Sequence, residues 1–442
     1  MPIVFLQSFL SGPIARGASI SFVIRILSIG VATLQAILTA QMLGPEGYGT
    51  VAYILSVSMI FATLSLMGTE PLAVREVARF CALKDIAKLR GFIFTIRLSL
   101  ISVLALGSTI LIIMSPLISM TEHEFGDLIL FTIPIFALIA LTLQNQGILR
   151  GLGSVVSAQV PFQILRPTIM VGILGFAWVT GHTVGKKDYL AATIMGTAVA
   201  LIATFFALRV AMHFKETEKI IHPRICKVAS QAAPFFAGSL LALLLSEINT
   251  LMLAWWAGPE ETGLFQPIAR ITPLIILGVQ AAGVRYAPRV SELWVKGEKE
   301  RLTAVTRKFT FITTTFAVAT AVFITASGEF ILGLFGKPFS ANSTALWWVS
   351  GAQIINSACG PVGMLLTMTG KASLTILPQV GALAVNCVLG WLFISGHGVV
   401  GAAIAMSGGI VVWNLGMLAI VRRKLGLDPS MLSLVLKRTR HT

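Results

Sequence analysis

The sequence predicts an all-α polytopic membrane protein that is built from two similar halves. Hydrophobic residues make up 56% of the 442 residues and charged residues only 12%, too few to cover the surface of a soluble chain of this length. Apolar runs of about 20 residues, the length that crosses a bilayer, follow one another along the chain. The motif Gly44-Pro45-Glu46 recurs 214 residues later as Gly258-Pro259-Glu260, again directly after an apolar run. Duplicated apolar halves are typical of transporters.

The apolar runs predict about twelve transmembrane helices, six in each half. Their approximate limits are 18–43, 50–68, 91–114, 128–149, 158–180, 189–213, 231–256, 264–286, 306–327, 343–368, 373–395 and 398–421. We therefore expect an N-terminal lobe at 1–220, a C-terminal lobe at 221–424 and a cytoplasmic tail at 425–442. Glycine-proline pairs end the first and seventh spans, because proline interrupts helical hydrogen bonding.

The distribution of basic residues predicts the orientation of the chain. Formal net charge is +15, and most of the basic residues fall in the loops after the second, sixth and eighth spans and in the tail. Cytoplasmic loops carry such an excess of lysine and arginine, so both termini are expected in the cytoplasm. The loops lack interleaved aromatic residues, which argues against nucleic acid as a partner.

Cysteines and histidines give no sign of a cofactor. Two of the four cysteines fall in predicted cytoplasmic loops and two within spans, so no disulfide framework is implied. The six histidines are far apart and lack metal-ligand spacing. A phosphate-binding Gly-x-x-x-x-Gly-Lys-Ser/Thr loop, a nucleophile elbow and a soluble region large enough for an ATPase domain are also absent from the sequence, so the chain is not expected to hydrolyse ATP. We do not expect an enzyme.

The order of motifs in the first half resembles a known family. The stretch Leu38-Thr-Ala-Gln-Met-Leu-Gly-Pro-Glu-Gly-Tyr-Gly49 is followed by an apolar span and by Ala73-Val-Arg75-Glu76. Shorter matches are Arg150-Gly151-Leu-Gly153 and Ile331-Leu-Gly-Leu-Phe-Gly336. Together they resemble the oligosaccharide and polysaccharide repeat-unit flippases of the multidrug/oligosaccharidyl-lipid/polysaccharide (MOP) superfamily. This resemblance implies two six-helix lobes related by a pseudo-two-fold axis, around a central cavity that opens alternately to each side.

Arginines inside the spans are the main functional signal in the first half. Arg25, Arg97 and Arg166 lie on the first, third and fifth spans, where a charge costs about 2.5 to 3.5 kcal/mol unless it faces protein or water. One interpretation is a basic cavity that binds a diphosphate through paired hydrogen bonds. The alternative is snorkelling, in which a guanidinium near a helix end reaches the headgroups.

Glu247 and Arg270 are the corresponding charges in the second half. Both lie a few turns inward from the Gly258 turn that joins their spans. They form either a structural ion pair or a switch, in which Arg270 binds the anionic substrate and Glu247 takes a proton or a cation. Related flippases have cavity arginines on their first and eighth helices, and Arg25 and Arg270 occupy similar places.

Polar side chains within the spans are candidates for binding sugar. Each of them alternatively connects neighbouring helices through hydrogen bonds. The candidates are Gln35, Gln144, Asn145, Gln146, Gln163, Gln353, Asn356 and Asn386.

The predicted function is a flippase that moves polyprenyl-diphosphate-linked oligosaccharide repeat units across the cytoplasmic (inner) membrane. We expect membrane lipids, a polysaccharide polymerase and other assembly proteins as partners, and a monomeric chain. The alternative is a cation-coupled multidrug and toxin extruder of the same superfamily, whose cationic drugs call for acidic residues in the cavity. A membrane glycosyltransferase or polymerase is disfavoured, because the predicted outer loops are all short.

Overall fold

All regular structure in the described part of the chain is helical. The computed structural model describes residues 13–121, 128–212, 221 and 223–433. The first half contains α1 (Pro13–Leu66), α2 (Thr69–Ala82), α3 (Ile86–Thr121), α4 (Thr132–Gly151), α5 (Val155–Val160), a π-helix (Pro161–Leu165), α6 (Arg166–Thr180) and α7 (Lys186–Ala211). A short 3₁₀ helix, Ile129–Phe131, leads into α4.

The second half repeats this succession of long helices. It contains α8 (Ile225–Trp256), α9 (Gly258–Ile275), α10 (Leu277–Val295), α11 (Lys299–Ala326), α12 (Gly328–Gly333), α13 (Lys337–Ser340), α14 (Thr344–Ala358), α15 (Val362–Met368) and α16 (Ile376–Leu425). A 3₁₀ turn at Ala372–Thr375 precedes α16.

Eight of the described helices are long and apolar enough to cross a membrane, and two bent helix pairs raise the number to ten. The pairs α9–α10 and α14–α15 bend by 40° and 41°. In addition, α1 and α16 are 54 and 50 residues long, more than twice the length that one crossing needs. Each contains a non-helical residue, Gly44 in α1 and Gly398 in α16, where the sequence separates two spans. The all-α polytopic fold is confirmed, and the count of twelve stays a prediction.

The chain divides into two compact units, Met1–Leu243 and Leu244–Thr442. This division falls inside α8, whereas the repeat in the sequence places the boundary before that helix, at residue 220. The lobe limits 1–220 and 221–424 stay a prediction. Of the predicted tail, residues 434–442 lie outside the described residues.

In the first unit, α4 is the most buried of the candidate spans and packs against α1, α2 and α7. Gly147 and Gly151 allow α2 to approach it closely. A Cβ atom at Gly147 would lie 2.6 Å from the Glu70 carbonyl oxygen, and one at Gly151 would lie 2.7 Å from Val77 Cβ. Small residues four apart permit this kind of backbone contact between helices in membranes.

In the second unit, α14 packs against α11 and α16. The segment after α16 returns to this group of helices. The Met431 backbone N–H donates to the Ala358 carbonyl at 2.8 Å, and the Thr310 hydroxyl donates to the Pro429 carbonyl at 2.8 Å. These bonds attach the beginning of the predicted tail to the end of α14 and the side of α11.

The repeated Gly-Pro-Glu turn has a similar structural role in each unit. Gly44 and Gly258 both adopt a positive φ, 67° and 86°. In the first unit, Glu46 forms an ion pair with Lys186 at the start of α7. In the second unit, the Glu261 carboxylate accepts a hydrogen bond of 2.8 Å from the backbone N–H of Val399, beside the break in α16. In each unit, an acidic side chain that follows the glycine therefore binds the start of another helical segment, which is α7 in the first unit and the second part of α16 in the second.

Candidate substrate-binding residues

Arg97 lies on α3 and reaches across to α4. Its Nη2 donates to the Asn145 Oδ1 atom at 3.4 Å, and its side chain is half-buried. The neighbouring Gln144 donates from Nε2 to the carbonyl of Ile96 at 2.9 Å. The Asn145 amide also donates to the Thr204 hydroxyl on α7 at 3.4 Å. Arg97 is thus engaged by a polar group inside the first unit.

Arg166 is the first residue of α6 and directly follows the π-helix. Its backbone N–H donates to the carbonyl of Pro161, five residues earlier, which widens this turn. The Arg166 Cζ atom lies 5.0 Å from the ring centroid of Phe162, close enough for a cation–π contact. Gln163, within the π-helix, is exposed. Single π turns are rare and are frequent at functional sites.

The predicted site residues on α1 differ in their surroundings. Arg25 is exposed, and its backbone carbonyl accepts a hydrogen bond of 2.8 Å from the Ser28 hydroxyl. Gln35 donates from Nε2 to the hydroxyl of the buried Tyr189 at 3.0 Å. Gln35 therefore connects α1 to α7, the structural alternative that the sequence left open for it.

Glu247 and Arg270 are not joined by an ion pair in the part of the second unit that the structure describes. Arg270 is exposed on α9, and Glu247 on α8 is half-buried and accepts a hydrogen bond of 3.2 Å from the Ser246 hydroxyl. A permanent structural pair is therefore not formed in this conformation. The switch stays a prediction.

Gln353 and Asn356 bind each other on α14. The Asn356 Nδ2 donates to Gln353 Oε1 at 2.8 Å, and Gln353 is buried. Among the described residues of the second unit, several buried polar side-chain atoms have no hydrogen-bond partner, and a ligand or water molecule would gain a bond at each of them. They are Asn249 Oδ1, Gln280 Oε1, Arg307 Nε, Thr314 Oγ1, Ser350 Oγ, Ser357 Oγ and Asn386 Oδ1. The described residues contain no cluster of His, Cys, Asp or Glu that could hold a metal ion.

Glu70 on α2 forms an ion pair with Arg150 at the end of α4, and the sequence did not predict this contact. Burial raises the pKa of Glu70, and the nearby Arg150 offsets this rise only in part. The signal that could have revealed the contact is the Gly147-x-x-x-Gly151 spacing around Arg150, because it indicates a closely packed neighbour.

Comparison with known proteins agrees with this architecture. A family model described as "Polysaccharide biosynthesis protein" matches residues 14–294. A "Probable low-salt glycan biosynthesis flippase Agl15" of Haloferax volcanii is 24% identical over 147 residues, which are 33% of this chain and 31% of the relative. The match thus spans about a third of that relative's length.

Two solved structures have a similar fold at low sequence identity. An inward-facing multidrug resistance MATE family transporter of the MOP superfamily superposes with a TM-score of 0.73, at 16% identity, covering 92% of this chain and 98% of the other. The lipid II flippase MurJ, in an inward closed conformation, superposes with a TM-score of 0.68, also at 16% identity, covering 91% and 87%.

The helices and these matches define a multi-pass, all-α membrane protein whose fold is similar to that of the solved MATE and MurJ structures. The matching proteins are named as transporters and flippases, in agreement with the prediction that the chain is not an enzyme. Because the family model covers well over half of the sequence, the chain belongs to the polysaccharide biosynthesis protein family.

Proposed function

We propose that this protein is a flippase for oligosaccharides linked to a polyprenyl diphosphate. It moves them across the cytoplasmic membrane by alternating access, with both of its termini in the cytoplasm. Membership of the polysaccharide biosynthesis family and the similarity to a probable glycan flippase support this proposal. The arginines within the spans bind the diphosphate in the inward-open state, and they are Arg25, Arg97, Arg166 and Arg270.

The observation that carries the proposal is the sign and the pairing of the charges in the spans. Among the described residues, Arg25, Arg97 and Arg270 form no ion pair with a carboxylate. By contrast, exposed arginines such as Arg289 on α10 and Arg301 on α11 are paired with neighbouring glutamates. Guanidinium groups without a carboxylate partner are suited to phosphate oxygens, which they bind through paired hydrogen bonds.

Polar side chains within the spans provide contacts for the sugar. Gln163 is exposed beside Arg166, whereas Gln35, Gln353 and Asn356 already have protein partners and would exchange them for hydroxyl groups of the glycan. Glu247 is our candidate for coupling to a proton or a cation. We further propose that the chain acts as a monomer among membrane lipids and cooperates with a polysaccharide polymerase.

A multidrug extruder has the same fold, so the test must separate anionic from cationic cargo. The experiment is complementation of a bacterial strain that lacks a repeat-unit flippase, scored by surface polysaccharide at matched expression. The wild-type chain should restore polymer, and Arg25→Ala and Arg270→Ala should restore much less. Glu247→Gln tests the proposed coupling. Resistance to cationic compounds without restored polymer, in several repeat-unit backgrounds, would establish the extruder instead.

A further inference from the structure

We propose that Gln144 and Asn145 are positioning residues that hold Arg97 as a diphosphate-binding group. This inference rests on the proposed function and deepens it, because it identifies how one of the arginines is oriented without losing its charge. Neither amide is placed in contact with the substrate itself.

Two consecutive residues of α4 bind two consecutive residues of α3. Gln144 donates to the backbone carbonyl of Ile96 at 2.9 Å, and Asn145 accepts from the guanidinium of Arg97 at 3.4 Å. Gln144 and Ile96 are 1% and 0% exposed. The first contact fixes the register of α3 on α4, and the second fixes the direction of the Arg97 side chain.

A chain of hydrogen bonds determines which end of the Asn145 amide faces the arginine. The Thr204 hydroxyl donates to the carbonyl of Leu201 at 2.8 Å, so its oxygen is left to accept from Asn145 Nδ2. With the NH₂ group directed to Thr204, the amide oxygen faces Arg97. Asn145 therefore presents an acceptor, the only kind of group to which a guanidinium can donate.

A neutral acceptor leaves the charge of Arg97 available. A guanidinium has five N–H donors, and one of those of Arg97 is used by Asn145. Within the described residues, Arg97 has no other hydrogen-bond or ion-pair partner. An aspartate at position 145 would occupy almost the same volume but would neutralise the arginine.

The position of Arg97 suits an anion that is attached to an apolar chain. On α3 it borders a face on which Leu98 and Ile101 are 49% and 57% exposed, while Ile96 and Leu100 on the other side are buried. A diphosphate bound to Arg97 would leave an isoprenoid chain next to exposed apolar side chains. This arrangement fits a lipid-linked substrate better than a free phosphate.

The test measures binding of farnesyl diphosphate to the purified full-length chain, with farnesol as the uncharged control. Wild type should prefer the diphosphate. Asn145→Asp should lower its affinity about tenfold or more, which is about 1.4 kcal/mol, without changing the affinity for farnesol. Gln146→Glu, which places a carboxylate at the next buried position of α4, is the matched control and should have a smaller effect.

A double-mutant cycle with Arg97→Ala separates positioning from a general structural effect. If Asn145 acts through Arg97, Asn145→Asp should cause little further loss in the Arg97→Ala background. An equal loss of affinity for farnesyl diphosphate in the wild-type and Arg97→Ala backgrounds would overturn the inference. Should Asn145→Asp fail to fold, the same cycle with Asn145→Ala decides the question. A wild-type chain that binds farnesol as well as farnesyl diphosphate would contradict the proposed function itself, which is a different outcome.

Discussion

Gly398→Ala should destabilise the second unit through its effect on Glu261. Gly398 has φ 46° and ψ −123°, a conformation that residues with a side chain rarely adopt, and the resulting strain costs about 1 to 3 kcal/mol. The added Cβ atom would also overlap the Glu261 carboxylate. That flexible side chain must then move and lose its hydrogen bond to the Val399 N–H, which costs about 1.5 kcal/mol for a half-buried charged acceptor.

Together these contributions predict that the free energy of unfolding falls by about 2.5 to 4.5 kcal/mol in Gly398→Ala and by about 1.5 kcal/mol in Glu261→Ala. The double variant should be about as stable as Gly398→Ala alone, because the glycine substitution already removes the bond. Gly396→Ala is the control, since a Cβ atom there meets no other atom within 4 Å.

Thermal unfolding of the purified chain in detergent, followed by circular dichroism, measures these differences. For a unit of this size, each kcal/mol corresponds to a shift of roughly 2 to 4 °C in the midpoint. Additive effects of Gly398→Ala and Glu261→Ala would contradict this prediction, because they would show that the two residues do not interact. A loss as large for Gly396→Ala would refute it as well.

Two further predictions concern the contact between α2 and α4. The folded-state pKa of Glu70 lies above its ordinary value, so the stability of the protein should fall as the pH rises from about 4.5 through the raised pKa. Glu70→Gln should reduce this decline, which melting experiments at a series of pH values would measure. A decline of unchanged slope in the variant would contradict the assignment to Glu70. Gly151→Ala should cost about 1 to 3 kcal/mol, since its Cβ atom would lie 2.7 Å from that of Val77. Gly172→Ala, where the site is open, serves as the control in the same melting experiment, and equal effects of the two substitutions would argue against the close contact.

The sequence was sufficient to predict the helical breaks that depend on local chemistry. The breaks at Gly44 and Gly398 coincide with predicted span limits, and α9 begins at Gly258, because glycine marks such sites locally. The bends at Ile276 and Gly360 lie inside the predicted eighth and tenth spans, and the predicted span limits did not locate them. Hydropathy reports how much of a segment is apolar, and a helix and a bent pair of helices have the same hydropathy.

Residue types in the candidate site were predictable, but their partners were not. Arg97 and Asn145 each stood out as polar groups within apolar spans. Their contact depends on the register of α3 against α4, which is determined by packing along both helices and by the Gln144 bond to Ile96. In the same way, Gln35 stood out as a sugar-binding candidate, whereas its bond to Tyr189 required the position of α7.

Translocation by the purified protein in proteoliposomes tests the proposed flippase function most directly. A polyprenyl-diphosphate-linked oligosaccharide is incorporated on one side, and its appearance on the other is followed by cleavage with an added glycosidase. The wild-type chain should transfer the substrate, and Arg97→Ala and Arg270→Ala variants of wild-type stability should transfer it slowly. Transfer that is unaffected by these arginine substitutions, or no transfer of this substrate alongside transport of an organic cation, would contradict the proposed function.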